Sequence, residues 1–208
     1  MHYLKNSVIT TVGILVAQLL TVVPAAYAFA RFDFKRKGIF FGMMLATTMI
    51  PAQLVFLPVF LVLSKMGLIN TYWSLILPQA TSAFGIFMLR QSFMQIPKEL
   101  IEAARLDKAG EFKIMFKVML PMCRSTVATL SLLTFIGSWN DYFWAKVLTT
   151  SDAVRTLPVG ITALRDVDGG VANHIVMAGN LIMLLPILIA FIVAQKQILK
   201  AFAYTGVK

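Results

Sequence analysis

Charge is scarce in this chain. Asp, Glu, Lys and Arg make up 13 % of its 208 residues, against about 25 % in soluble domains. So few charges cannot clothe a soluble surface, which excludes an ordinary globular domain. Cysteine is scarcer still: Cys123 alone excludes an internal disulfide and a thiolate metal cluster. The two histidines, His2 and His174, lie far apart in sequence, so nothing argues for a metal site. Only nine acidic residues occur, mostly between apolar runs. No paired carboxylates, Ser–His–Asp set or phosphate-cradling glycine loop appears. The residues therefore give no catalytic constellation and no cofactor site, and the chain is not expected to hydrolyse ATP itself. The net charge of +10 would suit a nucleic-acid partner, but the basic residues are dispersed through short loops, which excludes that reading.

Apolar residues are what the chain has in abundance, 59 % of the total, gathered into long runs without charge. Such runs of about 18 residues or more read as membrane spans. Five are expected, at roughly 7–30, 38–63, 72–89, 125–145 and 175–194. At about 1.5 Å per residue each is long enough for a hydrocarbon core of about 30 Å. The first run is too long for a secretory signal. The fold class expected is an all-α transmembrane protein: a polytopic helical bundle of five spans in a single domain, 1–208. Pro24, Pro51, Pro58, Pro78 and Pro186 fall inside these runs and predict kinks. With two prolines, the second span is the least suited to a straight rod.

Orientation follows from the basic residues. One alternating set of loops holds Arg31 to Lys37, the stretch Arg90–Arg124, and Lys196, Lys200 and Lys208. The other holds only Lys5, Lys65, Lys146, Arg155 and Arg165. This predicts a cytoplasmic 91–124 loop, a cytoplasmic C-terminus and an external N-terminus. Either a short N-terminus is translocated or a first helix precedes the sequence; the second reading is favoured.

The loop 91–124 is too long for a connector, since bundle helices join through about 2–8 residues. Pro97 suits a helix start, with Glu99 and Glu102 near the end where the dipole favours negative charge. Leu100, Ala103, Ala104 and Asp107 share one face, and Gly110 can end this helix. Phe112, Met115, Phe116 and Met119 form a second stripe, and Leu120-Pro121 stops it. Two short amphipathic helices are predicted. Physics alone leaves open a surface hairpin or a docking element, in which Ala103 and Ala104 admit a close partner and Glu102 makes charge-assisted bonds.

The run from Glu102-Ala103-Ala104 to Val118-Met119-Leu120-Pro121 resembles the EAA loop of bacterial ATP-binding-cassette importer permeases. It departs from that pattern at Lys108, where the family has glycine, although Gly110 follows two positions on. The carbohydrate, maltose-type branch is resembled at Asn70-Thr71-Tyr72-Trp73, Gly85-Ile86-Phe87 and Trp139-Asn140-Asp141. Thr156-Leu157-Pro158-Val159-Gly160 and the tail Thr205-Gly206-Val207-Lys208 also fit. The resemblance implies a multi-pass subunit of the bacterial inner (plasma) membrane, in contact with lipid, that binds no ATP. It also implies a second homologous permease subunit, cytoplasmic ATPase subunits and an extracytoplasmic solute-binding protein as partners. Glu102, Ala103, Ala104, Asp107, Gly110, Leu120 and Pro121 would form the ATPase-coupling element. Members normally have six spans with both ends inside, of which this chain would supply the last five.

Gln53, Gln79, Asn140 and Asn180 are amides within apolar runs and fit either a sugar path or bonds between helices. Asp141, near the outer end of the fourth run, fits either a functional charge or a structural one that bonds a helix end or snorkels outward. Trp139, Tyr142, Phe143 and Trp144 fit either sugar stacking or an interfacial aromatic belt. The rival to an ATP-driven importer is a transporter driven by an ion gradient, which needs ionisable relays at mid-membrane; these are nearly absent. A membrane-embedded enzyme lacks its catalytic residues.

Overall fold

A computed structural model describes residues 2–163 and 173–205. Arg165 and Gly206–Lys208, used above for the charge pattern and the tail, lie outside the described residues. Every regular element among them is helical. In order these are α1 (His2–Arg31), α2 (Lys37–Ala46), α3 (Phe56–Lys65), α4 (Tyr72–Ile76), α5 (Ala83–Met94) and α6 (Lys98–Leu106). Then come α7 (Glu111–Ile114), α8 (Leu120–Met122), α9 (Arg124–Trp139), α10 (Phe143–Leu148), α11 (Leu157–Ala163) and α12 (Asn173–Thr205). Turns of 3-10 helix lie at Thr47–Met49, Ala52–Val55 and Leu77–Gln79, and a π turn at Met115–Met119.

Among the described residues two helices are each long and apolar enough to cross a membrane: α1, and Val176–Lys196 within α12. They answer to the first and fifth expected spans and run through Pro24 and Pro186 without stopping. The other three runs are interrupted, each for a local reason. The second breaks at Ile50, which is extended (φ −89°, ψ 115°), because the ring of Pro51 disfavours a helical residue before it. The third leaves the α-helix at Leu77-Pro78 and restarts at Ser82, whose hydroxyl accepts from Gly85 N–H at 3.0 Å and caps α5. The fourth stops at Trp139, where short polar side chains turn back onto the backbone. Asn140 donates to the Ile136 carbonyl (2.9 Å) and Asp141 accepts from Trp144 N–H (3.2 Å).

The residues fall into two compact units. One comprises Gln18–Pro51, Thr81–Ser131 and Gln195–Lys208. Its core gathers Val22, Val23, Ala26 and Tyr27 of α1 with Leu89 and Phe93 of α5, and with Ile101, Ile114, Met115 and Met119 of the loop. Two arginines join the ends of α1 and α5. Arg31 donates to the carbonyls of Phe93 (2.6 Å) and Ile96 (2.8 Å), and Arg90 to that of Phe29 (3.1 Å) while lying 4.3 Å over the Phe41 ring. Cations suit helix C-termini, where carbonyls are left without partners.

The other unit comprises Met1–Ala17, Ala52–Ala80 and Leu132–Ala194. Its apolar cluster of Leu63, Leu75, Ala145, Leu148 and Val159 is accompanied by a polar clasp. Asn6 donates to the carbonyls of Ala153 and Arg155 (both 2.9 Å) and accepts from Tyr72 (2.7 Å). Ser7 accepts from Leu157 N–H (2.8 Å), and Tyr3 donates to Asp152 (3.1 Å). The Tyr3 ring lies so close to Gly160 that a Cβ there would meet it at 2.5 Å. The clasp joins the Tyr72 and Thr156–Gly160 segments to α1.

Candidate functional site

The loop expected to couple the chain to a partner is a helix–turn–helix with one face turned outward. In α6 only Ile101 is buried and Ala104 half-buried, both packed into the core. Leu100, Glu102, Ala103 and Asp107 are exposed, and Leu106 is 84 % exposed. Of the expected face, Leu100, Ala103 and Asp107 thus point away from this chain, whereas Ala104 turns partly inward onto the core.

Gly110 does not end this helix. Asp107 caps it and Lys108 follows in the left-handed region at φ 57°. Lys108 N–H donates to the Arg105 carbonyl (2.9 Å) and Ala109 N–H to that of Ala104 (3.0 Å), the double bond pattern of a Schellman turn. Lys108 thus supplies the bend that the resemblance assigns to glycine. Gly110 has ordinary angles (φ −69°, ψ 160°) and precedes α7 as its N-cap residue.

The second stripe differs too. Met115 and Met119 are buried as expected, but Phe112 is 76 % and Phe116 45 % exposed, and Ile114 takes the inward place. The inward residues are Glu111, Ile114, Met115, Val118 and Met119, still at i, i+3, i+4, i+7 and i+8, so the stripe keeps the helical period and is turned by about one position from the expected one. The π turn, wider than an α-helix, runs up to Pro121, whose ring would clash with the i−4 carbonyl of a regular helix. Leu120-Pro121 therefore does not stop the helix; α8 runs to Met122, and an 84° bend follows at Cys123. Leu120, Pro121, Arg124, Val127 and Ala128 line an open groove there.

Glu111 was not among the expected residues, yet it joins three elements. Its Oε1 accepts from Arg105 Nη2 (3.0 Å) and Nε (3.2 Å), and its Oε2 from the Tyr27 hydroxyl. No sequence pattern pairs positions 27 and 111.

The five polar candidates all fall in the unit containing Ala52–Ala80. Three places are helix interruptions: Gln53 in the 52–55 turn, Gln79 in the 77–79 turn, and Asn140-Asp141 between α9 and α10. Gln79 and Asp141 come together, Nε2 donating to Oδ2 at 2.7 Å, both half-buried. Gln53, Asn140 and Asn180 are exposed. The aromatic residues divide. Trp139 is buried, stacks on Phe135 at 5.6 Å and donates to the Met183 carbonyl at 3.0 Å, so its ring is committed to packing. Phe143 packs edge-on to Phe56, and Tyr142 remains 42 % exposed. Among the described residues no group of three or more His, Cys, Asp or Glu is placed to hold a metal.

Residues 9–203 match the family described as "Binding-protein-dependent transport system inner membrane component". The arabinooligosaccharides transport system permease protein AraQ of Halalkalibacterium halodurans is 37 % identical over 98 % of this chain and 72 % of its own length. The sn-glycerol-3-phosphate transport system permease protein UgpE of Brucella abortus is 32 % identical over 97 % of this chain and 72 % of its own. A chain in the crystal structure of a bacterial ABC transporter involved in the import of the acidic polysaccharide alginate superposes with a TM-score of 0.84 at 27 % identity. That match covers 94 % of this chain and 74 % of the other. This chain, helical in every described element and with membrane-length helices among them, therefore belongs to the inner-membrane components of binding-protein-dependent transport systems and is a permease subunit of that importer family, not an enzyme.

Proposed function

We propose that the chain forms half of the path for a sugar or related small polar solute and is driven by a cytoplasmic ATPase that docks on α6. What carries the reading is the outward face of α6. Leu100, Glu102, Ala103, Leu106 and Asp107 are exposed around a helix whose inner side is fixed by Ile101 and Ala104. An exposed leucine beside an alanine and a carboxylate suits a groove that is apolar in its middle and basic at its rim. Gly110, Leu120 and Pro121 act behind that face, shaping the hairpin. The solute runs past Gln53, Asn140 and Asn180, with the Gln79–Asp141 pair beside it. Polar residues gathered where helices unwind suit a path, because non-helical backbone at membrane depth is tolerated only when buried or facing a cavity.

The relatives named for arabinooligosaccharides and glycerol phosphate support a polyhydroxylated solute. The partners proposed are two ATPase subunits, a second homologous permease and an extracytoplasmic binding protein. The basic loops and the C-terminus are placed in the cytoplasm by the positive-inside rule. Glu102→Lys tests the coupling role, because it reverses the charge at the rim without touching the buried side. Transport is expected to fall at least about tenfold, as for loss of one charged interfacial pair, with the chain still inserted. Unchanged transport would sink the docking assignment.

A further inference from the structure

We propose that Glu111 is a positioning residue that locks α6 to α1, so that a push on α6 is carried into the first long helix. The proposal rests on the reading of α6 as the ATPase-docking helix. Glu111 opens α7, where the helix dipole favours its carboxylate. One oxygen receives both Nε and Nη2 of Arg105 in the last turn of α6, and the other receives the Tyr27 hydroxyl of α1. Tyr27 is itself immobilised, 4 % exposed and set edge-on to Phe93 and Phe32.

The ion pair in this arrangement contributes little to stability. The Arg105 and Glu111 side chains are 50 % and 41 % exposed, and ion pairs so placed add little. Position is what they supply. The inner face of α6 is only Ile101 and Ala104, a footprint on which a push at Leu106 would swivel the helix. The Glu111 carboxylate grips the end of α6 nearest Leu106 and fastens it to a ring that cannot turn. A swivel then becomes a displacement of α1.

The test places spin labels at Lys98→Cys on α6 and Leu20→Cys on α1, both exposed positions, in a Cys123→Ala background. The importer is assembled with its ATPase in lipid nanodiscs, with and without ATP. The inter-label distance is read in the native background, in Tyr27→Phe, in Glu111→Gln and in the double variant. Phenylalanine keeps the ring packed and removes only the hydroxyl. One narrow distance is expected in the native background in both states. Either variant should lose it on ATP addition while the ATPase still co-purifies, and the double variant should add nothing further. A distance unchanged in both variants with the ATPase bound would overturn the lock and leave the docking reading standing. Loss of the ATPase from the variants alone would make the three residues part of the docking surface and also overturn it. Failure of the ATPase to co-purify with the native chain would bring down the docking reading and the lock together.

Discussion

Lys108 holds a backbone conformation that an L-residue enters at a cost of about 1–2 kcal/mol. It does so because two amides, its own and that of Ala109, close the end of α6. Lys108→Gly should therefore raise stability by about 0.5–1 kcal/mol, less than the full strain because glycine also gains freedom in the unfolded chain. The midpoint of thermal unfolding in detergent checks this, and a midpoint unchanged or lowered would show that the lysine side chain contributes what the strain removes. The residues alone put this break at Gly110, two positions too late. Only the EAA-loop resemblance, which has glycine at position 108, marked the place where the structure bends the chain. Glu111 was not legible, because its partner Tyr27 is 84 residues away and no periodic signal links a carboxylate to a distant hydroxyl.

Helices were legible where a long uncharged apolar run continues unbroken, as in α1 and α12, and less so where a run is interrupted or a face must be assigned. Phe112 and Phe116 were expected inward because the stripe was given the wrong phase: Glu111, Ile114, Met115, Val118 and Met119 face in at the same helical spacing, and a charged Glu111 on that face hid it. The break at Pro51 announced itself; the one at Asn140-Asp141 has no proline or glycine and depends on side chains bonding to nearby backbone. The segment after α10 is held in a comparable way. Asn70, at φ 62°, accepts from the N–H groups of Thr150 (2.6 Å) and Ser151 (3.0 Å) and donates to the Thr150 hydroxyl at 2.9 Å. Asn70→Gly keeps the left-handed backbone and removes the bonds, at an expected cost of about 1–3 kcal/mol; Asn70→Ala adds the strain of a positive φ, about 1 kcal/mol more. Unfolding midpoints of the two variants separate these contributions. Equal values would assign the whole effect to the hydrogen bonds, and no loss in either would make the clasp at Asn70 idle.

At the scale of the whole molecule the charge pattern does two things at once. The basic side chains that set the proposed orientation include the two that fasten helix ends, Arg31 on the carbonyls of Phe93 and Ile96 and Arg90 on that of Phe29. Insertion reads charge and is indifferent to whether a cation is forked; two carbonyls at once are better met by a guanidinium than by an ammonium. Arg31→Lys should therefore leave a C-terminal tag on the same side of the membrane, since Lys35, Arg36 and Lys37 remain beside it. It should still lower unfolding stability by about 1.5–3 kcal/mol, as for loss of a charged hydrogen bond. A tag that changed sides would show that Arg31 acts in biogenesis; a tag and a midpoint both unchanged would show that its two bonds are dispensable. The membrane-insertion machinery and the folded protein thus select the same arginine on different grounds, one counting its charge and the other using its shape. Genetic loss of function at Arg31 is accordingly to be read first as a failure of the finished fold, and only then as a misplaced loop.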